Sequence, residues 1–532
     1  MLAHVRDSRL ASLRLLAAAL ICSAVVAGCG DPNSGVTANR SDDAGGASTT
    51  VDPSAPTSAA PVDSVAVDPT NPATPTTLAL SPENNDPPPG GGIVNFGTGK
   101  TPQPYDNFIN RAFVDITNFW TEQYPVLYGS PFTPINAIYA VYPDRQDPAQ
   151  CNGDVPFEYV EMNAKFVDCG DGTDVIMYDD YELIPQLVEQ FGAVSVAVVA
   201  AHEYGHAIGS HAGVFKLGLR TIDLEQQADC FAGAWVGHVS RGESDLLQFT
   251  DADVKASIAA MIYIRDPVGI DSANDKSGHG SAFDRVGAFQ DGYSKGASRC
   301  AEYPTKPNPR VDLFFTEGTV EADTGGNLPY DEITAAMPKA LDTFWKPTLD
   351  AAGIPFTAPT TVSFPHAGPY PTCDGRTPDE MLSDPAVFCK DTNTVAYDDD
   401  YLHALYDTFG DLSYGYPIAS AYSEAVQTAL QFPLTGENRV LVNDCLVGAW
   451  IRDIIPNGTD AQGNPTATNP AQEILLSAGD LDEVVSTAVL EGDEASNTNV
   501  RGTAFEKIDA FRTGVLGGLP GCQALIDKFI NG

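Results

Sequence analysis

His202 and His206 stand four residues apart in Val-Ser-Val-Ala-Val-Val-Ala-Ala-His-Glu-Tyr-Gly-His-Ala-Ile-Gly-Ser, residues 194–210. The run reads as a helix, and a helix puts residues i and i+4 on one face, so the two imidazoles share it. Two neutral ring nitrogens at that spacing suit a tetrahedral zinc ion. Glu203 follows the first histidine and can take a proton from water beside the ion. Such a centre needs a third ligand, and two residues compete for the place. His211 lies on the same helix. Glu225 lies in Leu-Glu-Gln-Gln-Ala-Asp-Cys-Phe-Ala-Gly, residues 224–233, four residues before Asp229.

In the metzincin pattern the third ligand is a histidine at the position that Ala212 holds here. His211 is one residue early, which turns it about 100° around a helix, so it is expected beside the centre or at the surface. Glu225 and Asp229 resemble the Glu-x-x-x-Asp arrangement of gluzincins. That likeness implies Glu225 as third ligand and Asp229 as the acceptor that orients a ligand histidine. Ala201-His202-Glu203-Tyr204-Gly205-His206, Gln227-Ala228-Asp229-Cys230-Phe231-Ala232-Gly233, and Gly278-His279-Gly280-Ser281 with Asp284-Arg285 and Phe289 together resemble a bacterial family of neutral zinc metallopeptidases. The resemblance covers most of the first half of the chain. It implies a zinc-dependent peptidase with a catalytic His-Glu-x-x-His helix and a downstream Glu ligand. His279 has two readings: a donor to the oxyanion of the reaction, or a turn or cap histidine before a helix over 283–293. Tyr178 falls in an apolar strand, Asp174–Asp179, ahead of the histidine helix, with two readings: a core strand, or the sheet edge along which peptidases of this architecture bind substrate.

The elements that hold these residues occur twice. Phe119-Trp120 corresponds to Phe344-Trp345, Tyr178-Asp179-Asp180 to Tyr397-Asp398-Asp399, Asp229-Cys230 to Asp444-Cys445, and Gly280-Ser281-Ala282-Phe283 to Gly502-Thr503-Ala504-Phe505. Setting Ser423 opposite His202, Glu424 opposite Glu203, Gln427 opposite His206 and Val440 opposite Glu225 leaves the second copy without zinc ligands. Cys22 falls in a leader and Cys29 at its end; the other eight cysteines divide between the copies. The repeat reduces the possible connectivities sharply, and the pairs expected are Cys151–Cys169 and Cys230–Cys300, with Cys373–Cys389 and Cys445–Cys522 as their counterparts.

Arg6, Arg9 and Arg14 precede an apolar stretch, Leu15–Ala27, too short to span a bilayer comfortably. It closes on Val26-Ala27-Gly28-Cys29, which resembles a bacterial lipobox and implies export and a lipid on Cys29 as the membrane anchor. Pro, Ser, Thr and Gly dominate the next 70 or so residues, a composition that cannot bury enough apolar area to fold. The organisation expected is a signal peptide at 1–28, a disordered tether at 29–100, a zinc metallopeptidase-like domain at 101–305 and a degenerate copy at 306–532. The fold class expected is α+β, each domain mainly helical with a small sheet. A net charge of −42 argues against nucleic acid as partner. The function expected is peptide-bond hydrolysis at the cell envelope, on a peptide or protein substrate, with a protein partner for the second copy in view. The alternative is a non-catalytic envelope binding or scaffold protein.

Overall fold

A computed structural model describes residues 86–88 and 91–531, apart from 273, 275–277, 317–318, 460–464, 468, 470 and 494–500. The leader, Cys29 and most of the expected tether lie outside the described residues. The fold is α+β, as expected, and both halves follow one plan.

In the first half, β1 (Val94–Asn95), β2 (Ala137–Val141), β3 (Ala164–Asp168) and β4 (Asp174–Asp179) form a sheet in the order β1-β2-β4-β3. β4 runs parallel to β2 and antiparallel to β3. Tyr178 therefore sits on a central, buried strand, and β3 is the free edge. Helices α1 (Asp106–Tyr128), α2 (Leu183–Phe191), α3 (Val194–His211), α4 (Thr221–Ser240), α5 (Asp251–Tyr263) and α6 (Ala282–Lys295) pack around it. The second half repeats this with α7 (Tyr330–Ala351), strands β5 (Thr360–Phe364), β6 (Ala386–Cys389) and β7 (Thr394–Asp398) in the order β5-β7-β6, and helices α8 (Asp399–Phe409), α9 (Asp411–Leu430), α10 (Gly436–Ile454), α11 (Asp480–Glu491) and α12 (Ala504–Asn531). Again the central strand is parallel to one neighbour and antiparallel to the other. All four expected disulfides are present.

One boundary needs correcting. The fold does not start at residue 101. β1 pairs with β2, Asn110 Oδ1 accepts the Ile93 and Val94 N–H groups at 2.8 and 3.0 Å, and Lys100 is ion-paired with Asp106 and Asp180. A two-residue strand inside a polar run has no periodicity to read, and only its partner β2 reveals it.

The halves share a hydrophobic core that runs from Tyr105 to Ile526 and contains Trp120, Trp235, Trp345 and Trp450. At their junction, Asp482 accepts the Phe283 N–H at 2.9 Å and pairs with Arg265 at 2.9 Å. Close helix packing is repeated too. A Cβ on Gly233 would lie 1.9 Å from Phe289 O, and one on Gly292 would lie 1.8 Å from Cys230 O. These glycines bring α4 and α6 together backbone to backbone. Gly448 and Gly514 do the same for α10 and α12, with 2.1 Å to Phe511 O and 2.0 Å to Cys445 O.

Candidate metal centre

α3 and α4 carry the site. Ser195 fixes the start of α3: its Oγ donates to Gly192 O at 2.6 Å and Leu187 O at 3.2 Å. Two turns on, His202 and His206 project toward α4, with their Nε2 atoms 3.1 Å apart. Glu225 on α4 faces both, Oε2 at 3.2 Å from His202 Nε2 and Oε1 at 3.3 Å from His206 Nε2. The three side chains form a buried group able to hold a metal ion. Around a tetrahedral ion with ligand bonds of about 2.0–2.1 Å, neighbouring donors are separated by about 3.3–3.4 Å. The observed separations fall close to that edge. Glu225 Oε2 is buried and, apart from the His202 ring nitrogen, meets no donor among the described residues. The donor set fits a metal.

The ring orientations are fixed from behind. His202 Nδ1 lies 2.6 Å from Asp229 Oδ1, which leaves Nε2 for the ion. Asp229 is held in turn by Arg285 of α6, with Nη2 on Oδ1 at 2.8 Å and Nε on Oδ2 at 3.0 Å. Arg285 Nη1 donates to Ile264 O at 2.7 Å. The close α4–α6 contact makes this fork possible.

Electrostatics follow burial and partners. Burial opposes protonation of His202, but Asp229 and then Glu225 outweigh it and push the ring up to about 10. Burial pushes Asp229 and Glu225 upward; Arg285 and His202 reverse this for Asp229, and His206 and His279 reverse it for Glu225, so both stay below the ordinary carboxylate range. Glu203 goes the other way: burial raises it, and the charges of His202 and His206 only partly compensate. One Glu203 oxygen accepts the Phe166 N–H of edge strand β3 at 2.7 Å.

His202, Glu203, His206, Glu225 and Asp229 thus come together as the sequence reading places them. His211 does not join them. It bonds Asp174 at 2.5 Å, at the start of β4, and stands beside Phe132. His279 is buried, 3.3 Å by Nδ1 from Asp266 Oδ1, and its charge reaches Glu225. Asp266 also accepts the Gly280 N–H and the Ser272 hydroxyl. Asp266 and Phe215, whose ring centroid lies 6.3 Å from that of His206, carried no signal in the sequence. Arg285 carried one: the repeat sets it opposite a second basic residue, Lys507.

The second copy differs in register from the sequence alignment. Ser413 Oγ donates to Gly410 O and Leu405 O as Ser195 does to Gly192 O and Leu187 O. Tyr422 hydrogen-bonds Asp342 of α7 where Tyr204 bonds Thr117 of α1. His202 therefore stands opposite Ser420, Glu203 opposite Ala421 and His206 opposite Glu424; Ser423 and Gln427 belong one turn further on. Val440 remains opposite Glu225. The two histidines and Glu225 are replaced in either register, and the structural register also puts Ala421 where Glu203 stands. Ser420, Ala421, Glu424 and Val440 line a cavity of about 140 Å³ in the place of the metal centre.

No family model matches this chain, and no solved structure matches it. Similar proteins are uncharacterized proteins of Mycobacterium bovis and of two strains of Mycobacterium tuberculosis, each 31% identical over 149 residues, covering 23% of this chain and 50% of theirs. The chain thus spans about half the length of the curated relatives it matches.

Proposed function

We propose that the first half is a zinc-dependent peptidase acting at the cell envelope, with His202, His206 and Glu225 as ligands. The observation that carries this reading is the convergence of three metal-competent donors with a buried carboxylate, Glu203, one residue after the first of them. A zinc ion there supplies Lewis-acid chemistry, acidifying water and polarising the scissile carbonyl. Glu203 takes a proton from the attacking water onto its carboxylate and returns it to the leaving amine. Asp229 and Arg285 hold His202 in one tautomer and direction. His279, tied to Asp266 and acting electrostatically on Glu225, is the residue assigned as donor to the oxyanion. An extended peptide is bound along the free edge of β3. Export and a lipid on Cys29 remain the expected route to the envelope; no described helix is long and apolar enough to cross a membrane.

Digestion of a peptide library by the full chain and by Glu203→Gln tests this. The expected outcome is cleavage by the wild type, retained zinc in the variant, and a rate lowered by about 10²–10⁴. A zinc-loaded wild type that cleaves nothing would favour the binding or scaffold reading.

A further inference from the structure

The second half holds a separate group of buried carboxylates. Asp411 opens α9, while Asp480 and Glu483 lie in the first turn of α11. They are 2%, 2% and 6% exposed, and one oxygen from each lies within 4.8 Å of the others. Each carboxylate spends an oxygen on a backbone N–H: Asp411 Oδ2 on Leu328 at 2.8 Å, Asp480 Oδ2 on Ser477 at 2.7 Å, Glu483 Oε2 on Leu412 at 2.7 Å. The second oxygens of Asp411 and Asp480 are buried and have no hydrogen-bond donor among the described residues. Burying an ionised oxygen without a partner is costly, so something other than these amides must face it.

A fourth oxygen points the same way. Asn327 Oδ1, which accepts the Asp411 N–H at 2.8 Å, and Glu483 Oε1 lie 2.3 and 2.1 Å from where a Cβ of residue 410 would be. Residue 410 is a glycine at φ +124°, so this space between two acceptor oxygens stays clear. Burial pushes all three carboxyls upward, Asp411 to about 6, and the strongest charges acting on Asp480 and Glu483 are other carboxylates.

We propose that Asp411, Asp480 and Glu483, with the side-chain oxygen of Asn327, form a calcium site. Oxygens bound at about 2.3–2.6 Å lie at most about 5 Å apart across one ion, so the observed spacing is within reach of a single cation. An all-oxygen set excludes the preference of zinc for nitrogen and sulfur. Magnesium keeps several waters and is held by few carboxylates, whereas calcium accepts a protein-built cage of irregular shape. The ion neutralises the orphaned oxygens and clamps the start of α9 to the start of α11. The same turn of α11 carries Asp482, which holds Phe283 and Arg265 of the first half. The site therefore braces the junction of the two copies, independently of any zinc chemistry.

The test uses the full chain, zinc-loaded, in chelator-treated buffer. Bound metal is measured by mass spectrometry and thermal unfolding is followed with and without 1 mM calcium, a trial concentration of about the order that weak extracellular sites need. The expected result is one calcium per chain and a Tm raised by about 2–4 °C, with magnesium giving a smaller rise. Asp480→Asn with Glu483→Gln should abolish both effects and leave zinc content unchanged. If that pair fails to fold, Asp480→Asn alone should weaken calcium binding at least about tenfold, as expected for loss of one of three charged ligands. A wild type that takes up no calcium and shows no shift overturns the proposal. So does calcium uptake that persists in the variants.

Discussion

Asp229 and Asp444 occupy equivalent places in the two copies, both fully buried on the inner face of a helix beside a disulfide cysteine. Asp229 faces the Arg285 fork and His202, and stays ionised more readily than an ordinary aspartate. Asp444 faces Lys507 at 2.9 Å and the Tyr416 hydroxyl at 2.6 Å, and burial still wins, raising its carboxyl. The difference is the number and geometry of cationic donors. A guanidinium meets both oxygens of a carboxylate at once, whereas an ammonium meets one. Only the first copy also has an imidazole that turns the carboxylate into a support for metal binding. The two copies keep one packing frame, with the tryptophans, the disulfides and the glycine contacts in both, while the His202–His206–Glu225 group able to hold a metal stands in the first alone among the described residues.

Breaking the two carboxylate pairs separates them most. Arg285→Met strands an ionised Asp229 in the core and should cost about 3–5 kcal/mol of unfolding free energy. Lys507→Met should cost less, because Asp444 is already biased toward its neutral form. Chemical denaturation of the two variants measures this, and equal losses would remove the distinction. Next in size, Asp229→Asn should weaken zinc binding by about 10–100-fold, while Asp444→Asn should leave zinc affinity unaltered; competition with a chelating dye reads both. The pH dependence comes third. His202 holds its proton up to about 10, so zinc must displace it, and apparent zinc affinity should rise about tenfold per pH unit between about 6 and 8. In the metal-free protein the sign is the reverse. A histidine with a raised pKa contributes its full stability below the ordinary histidine range and loses it as pH rises toward 10. A flat zinc affinity across that range would contradict the His202–Asp229 pairing. The smallest effect concerns register. Ser420→His with Glu424→His and Val440→Glu should create a second, weaker zinc site, detectable as additional bound metal. Ser423→His with Gln427→His and Val440→Glu should not.

The candidate site is largely legible in the sequence. Its histidines lie on one helix, where spacing decides which side chains share a face; one residue of helical rotation sets His211 aside, and the resemblance to the gluzincin Glu-x-x-x-Asp arrangement implies Glu225. The pairings of eight cysteines were readable because the repeat supplied two equivalent sets. The register that the sequence repeat suggests for the second histidine-helix equivalent differs from the structural one by three residues. Three residues is nearly one helical turn, so the apolar pattern survives the slip. Of the anchors that fix it, Ser413 bonds backbone carbonyls just upstream, and Tyr422 reaches Asp342, 80 residues away. β1 was hidden for the same kind of reason, since a two-residue strand is defined by its partner. The Asp411–Asp480–Glu483 group was invisible because its members come from helix starts 69 residues apart, in positions where acidic caps are ordinary.

The most direct test of the first-half centre is zinc per chain, measured by mass spectrometry on the wild type and on His206→Ala after exhaustive dialysis. The expected values are one equivalent in the wild type and none in the variant. Two equivalents in the wild type, or one retained by His206→Ala, would contradict a single centre built on His202, His206 and Glu225.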